Sequence, residues 1–291
     1  MITVILNPIA GGQSRASATE RIRQTSAAIE ACGEPGEVMV TEFRGHAREL
    51  ALGAVKNGSR LIVACGGDGT INEVASVLAF GQVPFAMVPA GSGNGLAREL
   101  GVATQPARAI AEAVRAIPKV IDAGELGGRL FFNVAGFGFD AHVAACLERE
   151  NPSRRGLAGY IRLGLREMFA YKPLIYTING KATGRPAVVV TLANSPQWGN
   201  GFRIAPAARV DDGQLDLVVV EESNRFASML AAPRLRLGGL ERLRQVTISQ
   251  VQQVTISGES PMTFHVDGEP QQGGTTIEGR VHPGALRVCV R

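Results

Sequence analysis

Leu61-Ile62-Val63-Ala64-Cys65-Gly66-Gly67-Asp68-Gly69-Thr70-Ile71-Asn72-Glu73-Val74 is the stretch whose reading decides the fold. An unbroken apolar run over 61–65 reads as a strand covered on both faces, and a helical pattern begins at Ile71. Three glycines around one acid serve packing poorly. They free the main chain to bring its amides to phosphate oxygens at a helix N-terminus. Asp68 offers a ligand to Mg²⁺, directly or through water, and Thr70 offers a helix cap or a phosphate contact. A tight strand-to-helix turn without a ligand is the plainer alternative.

Outward from this stretch, 2–6, 38–41 and 85–88 read as further strands, and 14–31, 46–56 and 71–79 read as helices. Strand and helix in strict turn predict a parallel sheet with crossover helices, with the loops after Leu6, Thr41, Cys65 and Val88 on one rim. Asn7, Pro8, Ile9, Ala10, Gly11 and Gly12 form the first loop, which a plain turn explains equally well. Pro89, Ala90, Gly91, Ser92, Gly93, Asn94 and Gly95 form another, before a helical segment at 96–100. No Walker lysine pattern occurs, and no glycine run has the strand, helix and acid of a dinucleotide site.

Beyond about Asp122 the texture changes to strand-like pieces at 130–134, 175–178, 187–193, 215–220, 246–256, 262–266 and 286–290. Period-two alternation, as in Val246 and Ile248 and again in Val254 and Ile256, suits antiparallel sheets. The sequence therefore predicts an α/β domain over 1–122 and a largely β domain over 123–291, whose last strand is free to return to the first. Two acidic turns stand out in the second part. Asp211-Asp212-Gly213-Gln214-Leu215-Asp216 reads as a hairpin turn or as a hard-cation site. In His265-Val266-Asp267-Gly268-Glu269, two carboxylates flank a glycine, and one of them can take a proton from an attacking hydroxyl. Taken alone, the stretch reads better as a plain turn.

At 291 residues the chain can bury a full core, and its net charge of +4 fits an anionic partner without selecting one. Cys32, Cys65, Cys146 and Cys289 are far apart with no CxxC pair, as expected of reduced, buried thiols in a cytosolic protein. No apolar run approaches the roughly 18 residues of a membrane span, and Met1 leads directly into a strand. Membrane contact is expected to be peripheral, at the inner face of the cell membrane.

Asn-Pro-x-Ala-Gly-Gly, the 66–72 loop, the 89–94 loop and Asp267-Gly268-Glu269 together resemble the diacylglycerol and sphingosine lipid kinase family in its soluble bacterial branch. Their order runs over nearly the whole chain. The resemblance implies an N-terminal α/β nucleotide-binding domain akin to those of NAD kinases and diacylglycerol kinases. It implies a C-terminal β-sandwich that receives lipid, and an active site in the cleft between them. ATP would lie against Asn7, Pro8, Ile9, Ala10, Gly11, Thr41, Gly66, Gly67, Asp68, Gly69, Thr70, Ile71, Asn72 and Ser92. Thr41 matches through its neighbours Gly45, His46 and Ala47. Asp212, with backbone oxygens of Arg209 and Gln214, resembles the bacterial structural magnesium site. Glu269 matches the base, with Asp267 orienting it or sharing its role. The third loop departs from the Gly-Thr-x-Asn-Asp of many bacterial diacylglycerol kinases and is similar to the sphingosine and ceramide branch. The compact chain and its other motifs favour an acylglycerol.

Arg154, Arg155, Arg162, Arg166 and Lys172, interleaved with Leu157, Tyr160, Ile161, Leu165, Met168 and Phe169, read as a basic amphipathic helix for an anionic bilayer or as a core-packed helix with a solvated face. A second basic stretch runs over 226–244, interrupted by Pro233 and Gly238-Gly239. No stacking platform argues for nucleic acid. A homodimer is left open. The rival readings are an NAD kinase, against which the third loop and the Asp-Gly-Glu turn speak, and a binding regulator that has lost catalysis, against which Asp68, Asp267 and Glu269 speak.

Overall fold

The computed structural model describes residues 1–11, 15–149, 157–223, 234 and 238–291. The chain forms two compact units, Met1–Ile121 with Gly284–Arg291, and Asp122–Pro283.

The first unit runs β1 (Ile2–Leu6), α1 (Arg15–Ala31), β2 (Gly36–Val40), α2 (His46–Lys56), β3 (Leu61–Gly66), α3 (Asp68–Leu78), β4 (Phe85–Pro89), α4 (Gly95–Glu99) and α5 (Pro106–Arg115). Its sheet has the parallel order β2-β1-β3-β4. Every residue of β1, β3 and β4 is buried, whereas the edge strand β2 is only partly covered. That is why the inner strands are continuous apolar runs. Ile2, Val4, Leu6, Leu61, Val63 and Val88 pack with Ile29 of α1 and Ile110 of α5.

Helix α3 begins at Asp68, three residues before the start expected at Ile71. Gly67, in extended conformation, is its N-cap residue, so Asp68, Gly69 and Thr70 belong to the first helical turn rather than to a loop. The apolar period marks only where the helix meets the core. The first turn carries no such mark, because its amides point out of the helix end. The helix at 106–115 went unread in the sequence, although Pro at its first position is a start signal.

The second unit continues with β5 (Lys119–Leu126, which enters from the first unit), β6 (Arg129–Phe131), β7 (Val134–Gly138), α6 (Phe139–Arg149), α7 (Leu157–Ala170), β8 (Thr177–Ile178), β9 (Lys181–Ala182), β10 (Ala187–Ala193), β11 (Gln197–Gly199), β12 (Phe202–Arg203), β13 (Leu215–Glu221), β14 (Val246–Val251), β15 (Gln253–Ser257), β16 (Thr263–Val266), β17 (Glu269–Gln272) and β18 (Thr276–Val288, which leaves for the first unit). One sheet is antiparallel in the order β14-β13-β10-β7-β16-β17. A second is built from the β5-β6 hairpin, β18, β15, β8 and β9. Phe137, Val190, Leu192 and Phe264 of the first sheet share one core with Leu126, Phe131, Val254, Ile256 and Ile277 of the second. This is the β-sandwich the sequence led us to expect. Residues 246–256, expected as one strand, are two: β14 pairs with β13 in one sheet and β15 with β18 in the other, so the chain crosses the sandwich at Gln252. Residues 130–134 likewise fall into two strands, divided at Phe132 and Asn133.

Candidate active site

The first and second loops of the α/β unit are joined by a hydrogen bond from Asn7 Nδ2 to Thr70 Oγ1, 3.0 Å. Asn7 Oδ1 accepts from the Ile9 amide at 3.1 Å, and Arg21 of α1 reaches the carbonyls of Asn7 and Ala10 at 3.4 and 3.3 Å. Ile9 is exposed, while Ala10 and Ile71 are buried and offer a ligand only their backbone. Gly12, in the same motif, lies outside the described residues. Thr41, at the end of β2, is buried and donates its amide to Leu6, which fixes it beside the exit of β1. Ser92 is exposed in the third loop, and Asn72 accepts from the Ser76 hydroxyl at 3.3 Å.

The second and third loops interlock through Asp68. Its Oδ2 accepts from the amide of Asn94 at 2.8 Å and its Oδ1 from the amide of Gly95 at 2.9 Å, which fastens the start of α4. A Cβ on Gly93 would lie 2.7 Å from that Oδ2, and one on Gly91 would lie 2.7 Å from the Cα of Gly67. These two glycines are therefore required by close approach of backbone and carboxylate. Burial pushes the Asp68 carboxyl above its ordinary value, against the pull of the two amides. Asn94, in left-handed conformation, closes the loop on itself: its Oδ1 accepts from the Gly91 amide at 3.0 Å and its Nδ2 donates to the Gly91 carbonyl at 2.7 Å. The sequence reading gave Asp68 a metal and Asn94 nothing. The structure gives both a bracing role, which leaves Asp68 able to reach a cation only with lone pairs its amide donors do not use.

In the sandwich unit the turn between β16 and β17 places Asp267 and Gly268 both at positive φ, 47° and 84°. A two-residue turn of this kind matches strand twist. The Asp267 carboxylate accepts from the amides of Phe132 (3.0 Å), Asn133 (3.0 Å) and Val134 (3.1 Å), the irregular stretch that divides β6 from β7. Glu269 follows, partly exposed, at the head of β17. Behind the turn His265 Nδ1 accepts from the Gly268 amide at 3.2 Å, so its Nε2 is the donor to Asp140 Oδ2 at 2.9 Å. Both side chains are buried, and Thr191 Oγ1 also donates to Asp140, at 3.4 Å. Asp140 was not legible as a site residue. Only its position at the first turn of α6, after Phe137-Gly138, marks it.

At the other acidic turn, Asp212 Oδ1 accepts from the Gln214 amide at 3.1 Å and its Oδ2 accepts from Gln250 at 3.4 Å. Arg209 turns its guanidinium to Asp211 at 3.2 Å, leaving only its carbonyl for a cation. The Gly213 amide donates to buried Asp122 at 2.7 Å, and burial together with the Asp212 charge pushes the Asp216 carboxyl up to about 6. Carboxylates and backbone carbonyls are the oxygen donors a hard divalent cation takes.

Of the basic helix, Arg162, Leu165 and Arg166 are exposed on α7 and Lys172 is exposed just beyond it, whereas Leu163 is buried. Arg154 and Arg155 lie outside the described residues. So does most of 226–244, including Met229, Leu230, Pro233, Leu235 and Leu237; Leu240 is buried. Among the described residues no helix is long and apolar enough to cross a membrane.

The chain thus joins an α/β unit with three interlocked glycine loops to a β-sandwich that carries a carboxylate turn. Residues 1–126 match the diacylglycerol kinase catalytic domain family, and residues 133–290 match the YegS C-terminal NAD kinase beta sandwich-like domain family. A probable lipid kinase YegS-like protein of Pseudomonas aeruginosa is 32% identical over 92% of this chain and 89% of its own length. The corresponding protein of Pseudomonas fluorescens is 30% identical over 92% and 90%. A crystal structure described as a putative diacylglycerol kinase from Bacillus anthracis shares the fold, with a TM-score of 0.81 at 22% identity over 100% of this chain and 95% of that one. The chain belongs to the diacylglycerol-kinase-like lipid kinase family. It is a lipid kinase, and a kinase of this family uses ATP, usually with a divalent metal.

Proposed function

We propose that this kinase transfers the γ-phosphoryl group of ATP to the free hydroxyl of diacylglycerol or a related acylglycerol. The observation that carries the reading is the 267–269 turn: three main-chain amides hold Asp267 in place, and this fixes Glu269, two residues on at the head of β17, as the base of the proposed reaction. Main-chain amides of the Asn7–Gly11, Gly66–Asn72 and third loops bind the phosphates, with Thr41 and Ser92 alongside. Glu269 takes the proton of the lipid hydroxyl as its oxygen attacks the γ-phosphorus and ADP departs. Mg²⁺ carried with the nucleotide neutralises charge on the phosphate oxygens. We assign a second, structural Mg²⁺ to Asp212 and the backbone oxygens of Arg209 and Gln214. The exposed cations of α7 are proposed to meet an anionic membrane surface, which delivers the lipid to a protein working at the inner membrane face.

The Gly91-Ser92-Gly93 spelling favours a sphingoid or ceramide acceptor as the second reading. Incubation with γ-labelled ATP, Mg²⁺ and mixed micelles containing diacylglycerol, monoacylglycerol, sphingosine or ceramide separates the two, with NAD as a soluble control. Label in an acylglycerol is expected. Label confined to a sphingolipid or to NAD overturns the acylglycerol assignment.

A further inference from the structure

Helices α6 and α7 of the sandwich unit bring together three side chains that the kinase reaction does not use. His142 and Cys146 stand one helical turn apart on α6 and so share a face, and Glu167 reaches them from α7. Their ligand atoms all lie within 4.8 Å of one another. His142 Nε2 is 2.9 Å from Glu167 Oε2 and 3.7 Å from Cys146 Sγ. The other Glu167 oxygen is held by Arg166 Nε at 2.9 Å, which aims Oε2 at the imidazole. The His142 side chain is 36% exposed and that of Glu167 16%, so an ion can enter from solvent. On the other flank the Tyr171 ring lies 5.3 Å from the His142 ring and 5.5 Å from that of Phe139.

We propose that His142, Cys146 and Glu167 form a binding site for a borderline-soft divalent cation of the Zn²⁺ class. A tetrahedral ion with Zn–S of about 2.3 Å and Zn–N and Zn–O of about 2.0–2.1 Å needs N···S near 3.6 Å and N···O near 3.3 Å. The distances in place differ from these by a few tenths of an ångström, which side-chain rotation supplies. Thiolate and imidazole ligands select Zn²⁺ or Co²⁺ over Mg²⁺, which prefers an all-oxygen octahedral shell, so the site is distinct in chemistry from the metal of phosphoryl transfer. On binding, the Cys146 S–H bond is replaced by a sulfur–metal bond and the proton passes to the buffer. The Nε2 proton that His142 directs at Glu167 in the metal-free site shifts to Nδ1 through solvent, and the neutral ring gives the freed Nε2 lone pair to the ion. One thiolate and one carboxylate then neutralise the double positive charge, and a water molecule completes the shell. The loaded ion ties α6 to α7.

The test is a Co²⁺ titration of the full-length protein, stripped with EDTA and cleared by gel filtration, followed by its absorbance. A thiolate-to-cobalt charge-transfer band should saturate at one equivalent, be displaced by Zn²⁺ and persist in excess Mg²⁺. Cys146→Ser should abolish the band, and Glu167→Gln and His142→Ala should weaken Co²⁺ binding at least about tenfold. Circular dichroism of each metal-free variant checks folding, and any one folded variant of the three suffices. No band in the wild type, or a band undiminished by these substitutions, overturns the site and in the latter case puts the ion on another thiol.

Discussion

Asp267→Asn separates the two carboxylates of the 267–269 turn. Asp267 sits at φ 47°, a conformation that Asn tolerates as well as Asp, so the substitution leaves the backbone unstrained and changes only charge and donor pattern. The three amides it serves belong to Phe132, Asn133 and Val134, which are 1%, 6% and 2% exposed and have no water to turn to. An amide oxygen can keep the Asn133 and Val134 bonds, both made to Oδ1, but its NH₂ faces the Phe132 N–H, donor against donor. The orphaned amide costs about 1–3 kcal/mol, and loss of charge assistance costs about 1 kcal/mol at each remaining bond. A loss of about 3–5 kcal/mol follows. For a unit of this size that is a fall of about 6–20 °C in melting temperature, readable by calorimetry. Glu269→Gln should leave the melting temperature within about 2 °C of wild type while lowering kcat by about 10²–10⁴-fold with ATP binding intact. An Asp267→Asn protein that melts like wild type and loses turnover, beside a Glu269→Gln protein that keeps it, would make Asp267 the base and refute the reasoning.

Gly93→Ala places a methyl group 2.7 Å from Asp68 Oδ2 and must push the third loop outward; equilibrium binding should show ATP affinity falling about tenfold or more with the fold intact. Asp68→Asn sets an NH₂ against one of the two amides of Asn94 and Gly95, so KM for ATP should rise more than kcat falls, and a near-normal KM in steady-state kinetics would remove Asp68 from nucleotide handling. Asp140→Asn weakens the bond to His265 that aligns the Gly268 amide; denaturant unfolding should show a loss of about 1–3 kcal/mol, with kcat falling and KM for ATP unchanged.

The α/β class was legible because β1, β3 and β4 are buried throughout, and a fully buried strand must be written as an apolar run. The glycine loops were legible for a related reason: backbone that approaches a phosphate, a carboxylate or another backbone excludes side chains, and glycine is the only residue that records this in the sequence. Both facts are local, so one chain read without its fold shows them. The start of α3 was misplaced because Asp68, Gly69 and Thr70, which form its first turn, are polar or glycine and leave no apolar period. The double strand over 246–256 was merged because Val246 and Ile248 fall in the same phase as Val254 and Ile256 on either side of Gln252, where the chain changes sheets.

What only the tertiary structure decided is which polar groups meet. Asp68 with the amides of the third loop, Asp267 with those of Phe132, Asn133 and Val134, and His265 with Asp140 are pairings 26 to 135 positions apart in the chain. Hydrogen bonds span about 3 Å and are directional, so a carboxylate's role depends on donors whose placement no local pattern encodes. The sequence therefore determined where the main chain is bare enough for a close approach and which carboxylates were candidates. The fold decided which of those carboxylates is a brace, because a charge that accepts from several main-chain amides, as those of Asp68 and Asp267 do, holds two segments of backbone together.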